Sequence, residues 1–174
     1  MSVLHNRIAP EWCGESRNDG VARRKTQYQK KPFESDGNGS DVSANIYMSM
    51  LMSPAYRALT PRQQQLYTYC KVQYYAEKKK PDDNQLRFTM NRSKYVTLYG
   101  LYDDNNRAAF YRDMDALIAH GFVKCVNSGK NTRTKTIYEF SSMWQNYGSQ
   151  AFVVSNADMT ASGAKKNAGM VNVY

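Results

Sequence analysis

Apolar residues in the middle of the chain change rhythm twice. Phe110, Met114, Leu117 and Ile118 stand at i, i+4, i+7 and i+8, the spacing that brings side chains to one face of a helix. The pattern predicts a helix capped by Asp104 or Asn105, running through Ala119 and stopped by Gly121. Just upstream, Asn91 can accept hydrogen bonds from the first free N–H groups of a short helix over Arg92–Leu98, and Gly100 supplies a left-handed ending. Two helices joined by a turn follow from this, a helix-turn-helix. Beyond Gly121 the residues become β-formers: Phe122-Val123-Lys124-Cys125-Val126 and Thr136-Ile137-Tyr138-Glu139-Phe140. The stretch from Asn127 to Lys135 between them is turn-forming, basic and free of large apolar side chains, so the two strands should form a β-hairpin with a long cationic tip.

Working outward, Thr60-Pro61-Arg62-Gln63 joins a capping residue, a proline at the first helical position and a glutamine able to reach back. It predicts a helix from Pro61 to about Lys78, with Leu66, Tyr69, Cys70, Gln73 and Tyr74 on one face; a buried Gln73 would need partners for its amide. Lys78-Lys79-Lys80-Pro81 ends that helix. Leu86-Arg87-Phe88-Thr89-Met90 alternates and predicts a third strand beside the hairpin. Ser53-Pro54 should start a single helical turn, and Ile46–Met52 reads as an extended apolar cover over the core.

The expected order is therefore helix, strand, helix, helix, strand, strand, an α+β domain over residues 44–147. Residues 1–43 keep no period of 2 or 3.6 and end in Glu34-Ser35-Asp36-Gly37-Asn38-Gly39-Ser40-Asp41, which predicts a disordered N-terminal tail. Residues 148–174 read as a flexible C-terminal tail whose one apolar cluster, Phe152-Val153-Val154, is able to dock on the domain or on a partner.

This order resembles the winged-helix, or winged helix-turn-helix, DNA-binding proteins. Three stretches look like winged-helix proteins carried by bacterial plasmids, phages and conjugative elements: Ser53-Pro54-Ala55-Tyr56-Arg57-Ala58-Leu59-Thr60-Pro61, Leu117-Ile118-Ala119-His120-Gly121-Phe122-Val123 and Ile137-Tyr138-Glu139-Phe140. The resemblance covers about Ile46 to Tyr147. It implies three to four helices with a three-stranded antiparallel sheet ending in a β-hairpin wing. It also implies sequence-specific binding of double-stranded DNA, as an accessory protein at a replication or conjugative-transfer origin or as a transcriptional regulator.

Charge agrees with an anionic partner. The chain carries a formal +9 at neutral pH, and the excess is local: seven basic against six acidic residues in 1–43, fifteen against eight in 44–147, two against one in 148–174. Nucleic acid ranks ahead of a membrane, because no stretch stays apolar for the ~18 residues a span requires. Fourteen tyrosines suit a small core that tolerates partial exposure. Three cysteines, Cys13, Cys70 and Cys125, make no even disulfide set, and Met1-Ser2-Val3-Leu4-His5 leads into polar residues; a reducing, cytoplasmic home is expected.

Candidate DNA contacts follow from the expected elements. A recognition helix enters the major groove by its N-terminal residues. That singles out Asn105, Asn106, Arg107 and Arg112, with Ala109 beside Ala108 allowing close backbone approach. Asn can pair with adenine and Arg with guanine. Asn105 has a competing task as a cap, and Arg112 can pair with Asp113 or Asp115 on the surface. In the wing, Lys130, Asn131, Arg133 and Lys135 are candidates for phosphate or the minor groove, and Thr89, Arg92, Lys94 and Tyr95 for the DNA backbone. If six cations reach phosphates, the log–log salt slope should be about −5.

Catalytic chemistry finds no support in the residues. His5 and His120 belong to no metal-binding spacing, and there is no phosphate-gripping glycine loop or nucleophile elbow, so no cofactor, metal or enzymatic activity is expected. Partners would be duplex DNA and other proteins of a replication or transfer complex; one small domain spans few base pairs, which leaves room for a dimer on DNA. The alternative is a winged helix that docks on proteins without binding DNA, with an exposed patch drawn from Met48, Met50, Met52 and Phe152.

Overall fold

The structure, a computed structural model, describes residues 31, 33–36, 38, 40–129 and 134–154. The chain divides after residue 39 into two units. In the described part of the first, the Lys31 N–H donates to Glu34 Oε2 at 2.6 Å, and the Asn38 N–H to Asp36 Oδ1 at 2.9 Å.

The second unit is α+β. In order it runs α1 (Met48–Leu51), α2 (Pro54–Arg57), α3 (Pro61–Ala76), β1 (Arg87–Thr89), a π-helical segment (Ser93–Leu98), α4 (Arg107–Ala119), β2 (Val123–Asn127) and β3 (Ile137–Phe140). Short 3-10 turns lie at Pro81–Asp83 and Met143–Asn146. No helix among the described residues is long and apolar enough to cross a membrane.

Cap chemistry sets the long helices. At the head of α3 the Thr60 N–H donates to Gln63 Oε1 at 2.9 Å while Thr60 Oγ1 accepts the Gln63 N–H, the reciprocal pair expected of Thr-Pro-x-Gln. The helix stops at Ala76, two residues short of the expected end, because Glu77 turns extended (φ −76°, ψ 106°) and its carboxylate reaches across to β1. Ser53 caps α2 as expected, accepting from the Tyr56 N–H. Ile46–Met52, in contrast, is not extended: Met48–Leu51 forms one helical turn that buries Met50 and leaves Met48 and Met52 outside. Its backbone N–H groups find carbonyls one turn back, from Tyr47 onward, which an isolated extended cover could not offer.

The segment after β1 also departs from the expected α-geometry. Asn91 Oδ1 accepts the Lys94 N–H as anticipated, but the Tyr99 N–H donates five residues back, to the Lys94 carbonyl at 2.9 Å, so the turn is widened. Gly100 ends it with φ +58°.

Sheet order is β1-β3-β2, all antiparallel. Phe88 stands opposite Tyr138, and Cys125 is in register with the same tyrosine, so one sheet face supplies Phe88, Tyr138, Val123 and Cys125 to the core. A bulge at Val126 breaks the β2–β3 register just before the hairpin connection. Helix α4 lays Phe110, Met114, Leu117 and Ile118 onto this face, each at most 1% exposed. Helix α3 adds Leu66, Tyr67 and Cys70. Beyond β3, Trp144 stacks on Phe122 at 5.8 Å with an interplanar angle of 7°, Tyr147 stacks on His120, and Phe152 meets Tyr147 edge-on. The chain thus remains on the body as far as Val154, which packs against the core.

Candidate nucleic-acid interface

Arg107 is the first residue of α4 and is exposed. Its helix opens one or two residues later than the sequence suggests: Asn106, not Asp104 or Asn105, is the cap, its side-chain oxygen accepting the Ala109 N–H at 3.3 Å. Asp104 is withdrawn from that task because its carboxylate accepts from Arg92. The Asn106 N–H, for its part, closes a turn onto the Asp103 carbonyl at 3.0 Å.

This geometry brings Arg92, Arg107 and Lys135 around one open cleft of about 290 Å³, whose walls include Asn91, Tyr95 and Tyr111. Three elements meet there: the head of the π-helical segment, the head of α4 and the base of the hairpin. Arg107, Arg112 and Lys135 are exposed and form no ion pair with any described residue. Arg112 lies one position beyond Tyr111 on α4, outside the cleft, with its side chain in solvent rather than paired to Asp113. Asn105 is exposed too. The Arg92 pair raises the guanidinium pKa and lowers that of Asp104, each through the hydrogen bond between them; both groups are solvent-exposed, so the pair is screened and open to exchange.

Four of the expected contacts are committed to the body. Ala109 is wholly buried, since a helix starting at Arg107 turns its third residue toward the sheet. Tyr95 is 3% exposed and stacks on Phe110 at 3.8 Å, so only its edge reaches the cleft; burial raises its hydroxyl pKa. Thr89 and Lys94 are held by Glu77. The carboxylate accepts the Thr89 N–H and hydroxyl and the Lys94 ammonium, the last at 2.6 Å, and also the Gln73 amide at 3.0 Å. Gln73 in turn accepts from the Tyr99 hydroxyl at 2.9 Å, which answers the requirement its burial raised. Burial acts to raise the Glu77 pKa, but the bonds from Lys94 and Thr89 outweigh it and leave the carboxyl below its ordinary value.

A second polar centre, which sequence reasoning did not find, orients α4 itself. Asp113, 2% exposed, accepts from Arg62 Nε at 2.6 Å, from the Tyr102 hydroxyl at 2.8 Å and from Gln63 Nε2 at 3.2 Å. Burial and the neighbouring carboxylate push the Tyr102 hydroxyl far above a phenol's usual pKa, so it stays a donor. Tyr111 was missed as well, although it sits at i+4 from Arg107 and so shares its side of the helix. Lys130, Asn131 and Arg133 lie outside the described residues; of the wing candidates, Lys135 is described.

No group of three or more potential metal ligands occurs among the described residues. No protein-family model matches the chain, and no curated protein or solved structure shows significant similarity to it.

Proposed function

We propose that residues 44–147 form a winged-helix domain that binds double-stranded DNA without catalysing a reaction. Supporting the fold reading is the element order helix, strand, helix, helix, strand, strand with strands arranged β1-β3-β2, which leaves the β2–β3 hairpin at the side of α4. The observation that carries the function is the set of cations at one place: Arg92, Arg107 and Lys135 about the cleft, and Arg112 exposed on the same helix. In this reading the head of α4 enters the major groove, Arg112 and Asn105 read base edges, and Lys135 with the rest of the hairpin tip follows the backbone or the minor groove. Asn106 contributes less to base reading than its position suggests, because its oxygen is engaged as the cap. The process is that implied by the resemblance: accessory work at a replication or transfer origin, or regulation of an element's promoter, in a cytoplasmic setting.

Gel-shift with random duplexes, followed by selection of a preferred site, tests the reading. Retention at moderate salt, with one sequence enriched, is the expected result; absence of any retained duplex would remove it.

A second reading is favoured by one feature. Ile46, Tyr47, Met48 and Met52 are 46%, 61%, 71% and 54% exposed on consecutive or near-consecutive positions, more apolar surface than one short segment needs to present to water. Docking on another protein of the same complex through this segment is compatible with DNA binding by the opposite end of the chain's order, and replaces it if duplex retention fails.

A further inference from the structure

The cleft beside α4 is larger than a backbone phosphate needs. A phosphate resting on Arg107 and Lys135 would fill only part of the 290 Å³ space, which is also lined by polar and aromatic residues. That size approaches the small end of sites that enclose an organic ligand. Tyr111 is half-buried and lines the cleft, its ring meeting Phe110 in a T-shaped contact at 5.2 Å rather than stacking on it, and Asn91 supplies an amide whose N–H groups remain as donors while its oxygen serves the Lys94 N–H. The other ring, Tyr95, has one face already stacked on Phe110, so it bounds the cleft without offering a platform. Arg92, one of the lining cations, carries its own acidic partner, Asp104.

Lining cations, a tyrosine ring not stacked face to face on a neighbour and an amide match one chemical class, a nucleoside phosphate. A paired base cannot enter, because it stays stacked inside the duplex; an unpaired one can. We propose that this cleft accommodates one unstacked nucleotide, with its phosphate on Arg107 and Lys135 and its base against Tyr111. This deepens the reading of the same face as DNA-binding, on which it rests, and makes the protein prefer a duplex carrying an unpaired nucleotide over a fully paired one.

Fluorescence anisotropy on the full chain provides the test, with four probes of matched sequence: a paired duplex, the same duplex with a single-stranded extension, the single strand alone, and a free mononucleotide as competitor. Wild type should bind the extended duplex about 5- to 150-fold more tightly than the paired one, the range for stacking of one base on an aromatic ring. Tyr111→Leu should erase that ratio. Tyr111→Phe, which keeps the ring, should restore it and guards against a folding defect in the leucine variant. Competition by the free mononucleotide, lost in Tyr111→Leu, would mean that the cleft takes a soluble nucleotide as well as a strand. Equal binding of paired and extended duplexes overturns the proposal while sparing DNA binding. No binding of any duplex, with the single strand or the mononucleotide still bound through Tyr111, overturns the duplex reading and spares the cleft; failure of all four probes overturns both.

Discussion

Lys94 Nζ lies 2.6 Å from Glu77 Oε1, and through that contact the segment bearing Arg92 is tied to the end of α3 and to Thr89 on β1. Both side chains are largely buried, at 21% and 14% exposed. Glu77→Ala should therefore destabilise the fold by about 2 kcal/mol, since it takes the acceptor from the Thr89 hydroxyl, the Thr89 backbone N–H and the Gln73 amide, and leaves the Lys94 ammonium only the Thr89 oxygens. The acid dependence carries a second signature. The folded-state pKa of Glu77 is depressed, so its contribution is fully present above the unfolded carboxyl value of about 4.3 and is lost as pH falls through the lower folded value. Urea unfolding followed from neutral to acid pH should show this loss in wild type and a smaller one in Glu77→Gln. Identical acid profiles would mean that the carboxylate has no special environment.

Asp113 should be the more sensitive site. Three donors converge on a carboxylate that water does not reach, and removing it strands the Tyr102 hydroxyl inside the fold. Asp113→Ala is expected to lower stability by about 3 kcal/mol, and Tyr102→Phe, which deletes one bond but leaves the acceptor served by Arg62 and Gln63, by about 1 kcal/mol. Thermal or urea unfolding reads both. If the two variants lose the same amount, the carboxylate is not the centre of the network.

Gly121 joins α4 to the sheet with φ +78°, and a Cβ there would come within 2.7 Å of the Trp144 backbone nitrogen and 2.9 Å of the Met143 carbonyl carbon. Both strain and collision involve backbone, which cannot rotate away. Gly121→Ala should destabilise by more than about 1 kcal/mol and loosen the Met143–Asn146 turn, visible as faster amide exchange at Trp144, whose N–H is bonded to the Gly121 carbonyl. Unchanged stability would show that the turn is only loosely held.

What the sequence made legible was local. The Thr60–Gln63 box, the Phe110–Ile118 stripe and the three strands each depend on neighbours a few residues away, and each appears in the structure, although at β1 the alternation is broken by an exposed Leu86 and a buried Thr89. The polar centres do not, because their members are far apart in the chain: Glu77 and Lys94 are 17 residues apart, Arg62 and Asp113 are 51. That is why Thr89 and Lys94, polar and near a basic helix, read as surface contacts when they are partners of a carboxylate. Tyr95 reads the same way until the stacking on Phe110 is seen. The cap of α4 was misplaced because the pairing of Asp104 with Arg92 has no local signal. Tyr111 was recoverable: counting four residues on from Arg107 finds it.

The exposed cations divide by what they can reach. Arg107 and Lys135 line the cleft, where the proposed duplex would place a phosphate, and phosphate contacts carry no sequence information. Arg107→Ala and Lys135→Ala should each weaken binding to every duplex alike and flatten the log–log salt dependence by about 0.9 per lost contact. Arg112 stands outside the cleft on the outer side of α4, so Arg112→Ala should instead reduce the preference for the selected site over random duplex by about 1–3 kcal/mol, with the salt slope nearly kept. Anisotropy titrations across a salt series, on selected and random duplexes, separate the two behaviours. A uniform loss on Arg112→Ala would put that guanidinium on the backbone and shift base reading to the hairpin, whereas an unaltered slope on Arg107→Ala and Lys135→Ala together would detach the cleft from duplex binding altogether.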